Sequence, residues 1–78
     1  MLEKLVEHIV SNLVSKPESV AITGVERDGK YVIHVRVAAE DVARVIGSEG
    51  RVFRAIRAVV MLLGNQQKKD VVVDISEQ

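Results

Sequence analysis

The sequence predicts an α+β domain, and three observations carry that prediction. Residues 2–14 and 51–63 repeat apolar side chains at three- and four-residue steps, the period of one helical face. Residues 19–37 and 71–75 alternate apolar and polar side chains instead, the period of a half-buried strand. Asp28-Gly29 divides the longer alternating segment with the two-residue signature of a type I′ hairpin. With a further short helix before residue 47, the order is α-β-β-α-α-β. No internal repeat is visible, so residues 1–78 are read as one domain.

In the first helix, Leu2, Leu5, Val6, Ile9, Val10, Leu13 and Val14 form the apolar stripe. The pattern predicts about three to four turns, ended by Pro17, whose ring is incompatible with a helix interior. His8 falls on the polar side and is read as solvated. In the first strand, 19–27, a bulge is expected at Gly24. Tyr31, Ile33, Val35 and Val37 share one face of the returning strand, with Val32, His34 and Arg36 on the other. One apolar and one mixed face is the pattern of a sheet covered by helices on one side, which leaves His34 and Arg36 solvated.

Glu40 and Asp41 open the next helix, where its dipole favours acids, and Val42, Val45 and Ile46 are its apolar positions. The third helix is expected over 51–63. Val52, Ile56, Val59 and Leu63 make its core stripe, while Ala55, Ala58, Met61 and Leu62 make a second. A helix that is apolar on two sides of so small a domain lies under other elements or meets another chain. Gly64-Asn65 is read as its cap, followed by a polar connection and a last strand built on Val71, Val73 and Ile75.

Composition excludes several function classes. The chain has no cysteine, hence no disulfide scaffold, thiol nucleophile or zinc ribbon, and a reducing, cytoplasmic location fits. The opening Met1-Leu2-Glu3-Lys4 carries an acid and predicts no signal peptide. The longest apolar run, 58–63, is too short to span a bilayer, so no membrane partner is expected. Catalysis needs an activated nucleophile, a poised base or a metal set. Two histidines at positions read as exposed and no spaced carboxylate pair predict neither an enzyme nor a bound metal, cofactor or small-molecule substrate.

Formal net charge is zero, but its distribution is uneven. Residues 44–69 hold six cations (Arg44, Arg51, Arg54, Arg57, Lys68, Lys69) and one anion, Glu49, whereas the remainder is net acidic. One basic face on an acidic body suits a phosphate backbone; charges scattered over solvated surface are the plainer alternative.

The segment Val45-Ile46-Gly47-Ser48-Glu49-Gly50-Arg51 is where an apolar run stops and a second amphipathic run begins. Glycines at 47 and 50 allow a sharp turn and a close approach to backbone N–H groups, and the loop feeds a helix N-terminus that favours an anion. The same spacing also arises as a helix C-cap followed by an ordinary turn. Arg51, Arg54 and Arg57 follow at steps of three, with Arg44 three residues before the loop.

Residues 45–57, a hydrophobic pair, G-x-x-G and an apolar-periodic helix, resemble the signature of the KH domain. The element order resembles the type II arrangement. Chain length, the N-terminal helix and Val35-Arg36-Val37-Ala38-Ala39-Glu40-Asp41 resemble the small single-domain bacterial KH proteins of the KhpA type. The resemblance implies a three-stranded mixed sheet with three helices on one face, the hairpin antiparallel and the last strand parallel to the central one. It also implies binding of single-stranded RNA, about four nucleotides per domain. The amides of Gly47, Ser48, Glu49 and Gly50 would face phosphates, Arg51 and Arg54 would add charge, and the Ile46 region would supply an apolar floor. Lys68 and Lys69, in a variable loop, would form the far rim.

The family associations are a homodimer, or a heterodimer with a larger KH-containing protein, RNA chaperoning, and post-transcriptional regulation linked to cell elongation and division. Two departures stand out. Ser48-Glu49 occupies the place where related loops carry a basic residue, which weakens phosphate binding. Tyr31 and Phe53 are the only aromatics, so recognition does not rest on stacking platforms, and Phe53 is read as core. The alternative function is a KH-fold interaction module with little RNA affinity, acting through Ala58, Met61 and Leu62.

Overall fold

Asp28 and Gly29 both take positive φ, 54° and 80°, in a computed structural model that describes residues 2–77. That geometry is the type I′ turn, and it joins β1 (Ala21–Arg27) to β2 (Lys30–Val37) in antiparallel register. The third strand, β3 (Val71–Glu77), lies parallel to β2, giving the sheet order β1-β2-β3. Parallel neighbours need a crossover, which is supplied by α2 (Val42–Ile46) and α3 (Arg51–Gln66). With α1 (Leu2–Ser11), these helices cover one face of the sheet.

Period-two alternation decides that face. Ile33, Val35 and Val37 of β2 and Val71 and Val73 of β3 are buried against Leu2, Val6 and Val10 of α1, Val45 of α2, and Ile56 and Val60 of α3. Short β-branched residues dominate, as expected where strands present a pleated surface to helices. The opposite face is open, with Thr23 and Val25 exposed.

Several expectations change in detail. The first helix stops at Ser11 rather than at Val14. There the Asn12 side-chain amide donates to the His8 carbonyl at 2.7 Å, and the Leu13 N–H turns back to the Val10 carbonyl at 2.9 Å. Such tightening ends a helix without proline, although Leu13 and Val14 still pack against the core. Gly24 makes no bulge but pairs with Ile33 in unbroken register. The glycine leaves room for Tyr31, whose hydroxyl would overlap any Cβ at position 24 and instead donates to the Glu3 carboxylate. That bond ties α1 to the central strand and is the main reason the Glu3 carboxyl lies below its ordinary range.

On α3 the core position is Val60, not Val59, which is 45% exposed. The buried residues Ile56, Val60 and Gly64 are four apart. Gly64 lies inside the helix rather than capping it, and glycine suits the position because a Cβ there would stand 2.7 Å from Val71 Cγ2 and 3.1 Å from the Lys69 carbonyl. The cap lies further on. Lys68 takes φ of 59°, its N–H bonds the Asn65 carbonyl at 3.0 Å, and the Lys69 N–H reaches back to the Gly64 carbonyl at 2.8 Å. This is a Schellman arrangement with lysine in the left-handed position. His34, read as solvated, is half-buried on β2, where it pairs with Asp74 of β3 and lies 3.0 Å from the Ser76 hydroxyl.

Candidate nucleic-acid interface

The loop begins where α2 ends. The Gly47 N–H bonds the Ala43 carbonyl at 2.8 Å, and Gly47 itself takes φ 78°, ψ 176°. Only glycine occupies that region comfortably. Space imposes the same choice, since a Cβ would overlap the Val52 side chain, with Val52 Cβ at 2.8 Å. A single 3₁₀ turn, Ser48–Gly50, then leads into α3. Glu49 and Gly50 are both left-handed, at φ 56° and 73°.

Hydrogen bonding separates the four loop amides into two kinds. The Gly50 N–H closes onto the Gly47 carbonyl at 3.1 Å, while Gly47 is used by the α2 cap. These two amides, expected to face phosphates, are therefore engaged within the turn. Ser48 and Glu49, both exposed, carry the loop amides that are not tied into it. Behind them starts a 16-residue helix, whose aligned peptide dipoles put partial positive charge at this end.

The arginines divide in the same way. Arg54 Nη2 donates to the Glu49 carbonyl at 2.8 Å, holding the left-handed residue in place. Arg51 Nη2 lies 3.7 Å from the Glu49 carboxylate, both side chains well exposed. Arg57, one turn further along, sits 6.0 Å from the centroid of the Phe53 ring, and Phe53 packs against the core as read. Arg44, before the loop, approaches Asp41 at 3.4 Å. Ile46, the last residue of α2, is half-buried beside Gly47.

Residues 46–51 and Arg54 are thus brought together, but Lys68 and Lys69 are not. They follow the C-terminus of α3, about 24 Å from the loop at the helical rise per residue. Lys69 Nζ stands 5.7 Å from the centroid of the Tyr31 ring, and Lys68 serves the helix cap. Ala58, Met61 and Leu62 are exposed as read, Met61 at 48% and Leu62 at 61%. With Ala55 and Val59 they form a continuous stripe along the outer side of α3. One helix thus carries Arg51 and Arg54 in its first turn, directly after the loop, and an uncovered apolar stripe behind them.

One residue that positions the site was given a different role by sequence reasoning. Asp41 is 0% exposed and accepts three hydrogen bonds, from the Ser15 N–H and hydroxyl at 2.9 Å each and from the Lys16 N–H at 3.1 Å. The Ser15 amide is the foremost cause of a carboxyl pKa below the ordinary 3.8. The bonds fasten the chain after α1 to the start of α2, and so set where α2 delivers the loop. Lys16 and Glu40 add a surface ion pair of 2.8 Å to the same junction. An acid ahead of a helix is the only local sign of this role, and the partners lie 25 and 26 residues away.

Among the described residues there is no group of three metal-ligating side chains, and no helix is long and apolar enough to cross a membrane. Known proteins share this sequence over nearly its whole length. The family described as KhpA/KhpB, KH domain, matches residues 3–75. The RNA-binding protein KhpA of Clostridium perfringens is 39% identical over 74 residues, covering 95% of this chain and 99% of that protein. The protein of the same name from Listeria monocytogenes is 40% identical over 76 residues, covering 97% of this chain and 100% of its own. In Bacillus subtilis the corresponding figures are 38% over 74 residues, 95% and 91%.

Proposed function

The chain belongs to the KhpA/KhpB KH-domain family, and from that premise we propose that it binds single-stranded RNA by its backbone, with weak sequence preference, in the cytoplasm. The observation that carries the reading is the loop itself. The Ser48 and Glu49 amides, not bonded within the turn, stand at a helix N-terminus beside Arg51 and make a seat for one or two phosphates. Ile46 and the first turns of α3 form the floor, and Arg57 extends the basic row. Lys68 and Lys69 meet only nucleotides that continue along the length of α3. Scarce aromatics favour backbone contacts over base stacking, which suits a general RNA chaperone or post-transcriptional regulator, with cell elongation and division as the process served.

Titration of a fluorescent oligouridylate at two salt concentrations tests this reading. Each phosphate neutralised should contribute roughly −0.7 to the slope of log affinity against log salt, so a seat for two phosphates predicts a slope of about −1.4. Binding that is absent, or indifferent to salt, would count against the clamp.

A specific observation also favours partner binding, namely the exposed stripe of Ala55, Ala58, Val59, Met61 and Leu62. We propose that it pairs with a second copy, or with a larger KH-containing protein, so that two weak clamps act on one RNA with a high effective concentration. Sedimentation of Leu62→Arg should show a monomer where the wild type shows a dimer, with RNA affinity lower by about tenfold or more. A wild-type monomer at high concentration would remove the homodimer.

A further inference from the structure

Glu49 engages both arginines nearest the loop in the free protein, by two separate atoms. Its carbonyl accepts from Arg54 at 2.8 Å, and its carboxylate lies 3.7 Å from Arg51 Nη2. The first contact is positional, since Glu49 is left-handed at φ 56° and the guanidinium holds that turn of backbone. The second sets the carboxylate against the cation that opens α3, directly after the loop, where an RNA phosphate is to be received. A phosphate and a carboxylate have the same appetite for a guanidinium. We infer that the Glu49 carboxylate is a built-in competitor for Arg51, which RNA must displace, and that this one side chain sets the domain's affinity. The inference rests on the RNA-binding reading and adds to it an intramolecular stand-in for the ligand.

The consequences follow from exposure. Arg51 and Glu49 side chains are 73% and 75% exposed, so their pairing is weak and easily exchanged. RNA is therefore admitted rather than excluded, but at reduced affinity and with fast release. Like-charge repulsion between Glu49 and phosphate would also lower affinity, without involving Arg51. A double-mutant cycle separates the two, because only competition makes the value of Arg51 depend on residue 49.

The test uses the full chain, the fluorescent oligouridylate, and Glu49→Gln, Arg51→Gln and the double variant. Glutamine keeps the backbone carbonyl that Arg54 holds, so the turn is retained. Glu49→Gln should tighten binding about fivefold. Arg51→Gln should weaken it about twofold in the wild type but about tenfold in the Glu49→Gln background. Additive effects would replace competition with plain repulsion, and equal affinity of Glu49→Gln and wild type would overturn the inference while leaving the clamp intact. Absence of binding by both would remove the clamp and the competitor together.

Discussion

Gly50→Asp is expected to weaken RNA binding by about 100-fold or more while the domain stays folded. The substitution sets a carboxylate between the outward loop amides and the first turn of α3, where the helix dipole and Arg51 attract phosphate. The fold should tolerate it. Gly50 is left-handed at φ 73°, ψ 15°, a conformation that aspartate visits more readily than most residues, and no atom from elsewhere in the chain lies within 4 Å of a Cβ built there. The strain is about 1 kcal/mol, or roughly 4–8 °C in Tm for a domain of this size.

Gly47→Asp is a poorer probe. Its φ and ψ suit glycine alone, and its Cβ would collide with Val52, adding about 1–3 kcal/mol of strain. A doubly substituted 47/50 variant therefore mixes loss of the clamp with loss of the fold, and Gly50→Asp separates them. A thermal melt beside the RNA titration checks both halves. Wild-type affinity in a folded Gly50→Asp protein would disprove the phosphate seat.

The second large effect is on stability. Asp41→Ala should lower Tm by on the order of 10 °C or more, because it strips the Ser15 and Lys16 amides of their buried acceptor in a part-buried junction. The acid dependence follows from the direction of the pKa shift. The folded-state carboxyl titrates below its ordinary 3.8, so the ionised form favours the folded chain. Its contribution is complete above about pH 4–5 and is lost as pH falls through the lower, folded-state value. Melts of the wild type should thus be level from neutral pH to about 5 and decline below it. Asp41→Asn should start lower and decline less steeply. Glu3 and Glu40, also held below their ordinary 4.5, act in the same direction, so the slope is reduced rather than abolished. Equal Tm for Asp41→Ala and wild type would deny the junction its role.

The loop shows how far a site could be read from residues alone. Gly47, Gly50 and the arginines after them were visible as a motif because each carries its requirement locally: positive φ, close approach, charge at a helix start. Which amides are taken up within the turn was not visible, since that depends on bonds that close only on folding. Nor could spacing show that Arg54 holds a carbonyl while Arg51 faces a carboxylate. Lys68 and Lys69 had the right charge but stand at the other end of a helix. Charge is a property of sequence, whereas proximity is a property of the folded chain.

The same division runs through the fold. By itself the sequence determined the six-element order, the type I′ hairpin at Asp28-Gly29 and the inward face of β2, because periodicity, turn chemistry and φ preferences act over a few residues. The membership of Val60 rather than Val59 in the core, the helix that runs through Gly64, the unbroken strand at Gly24 and the burial of Asp41 were decided only in three dimensions. Each depends on an atom from a distant element: Val71 against Gly64, Tyr31 over Gly24, and the Ser15 and Lys16 amides on Asp41. Local rules act through neighbours along the chain, while packing and buried hydrogen bonds act between neighbours in space, and in this domain the second kind of neighbour settles where the loop is held.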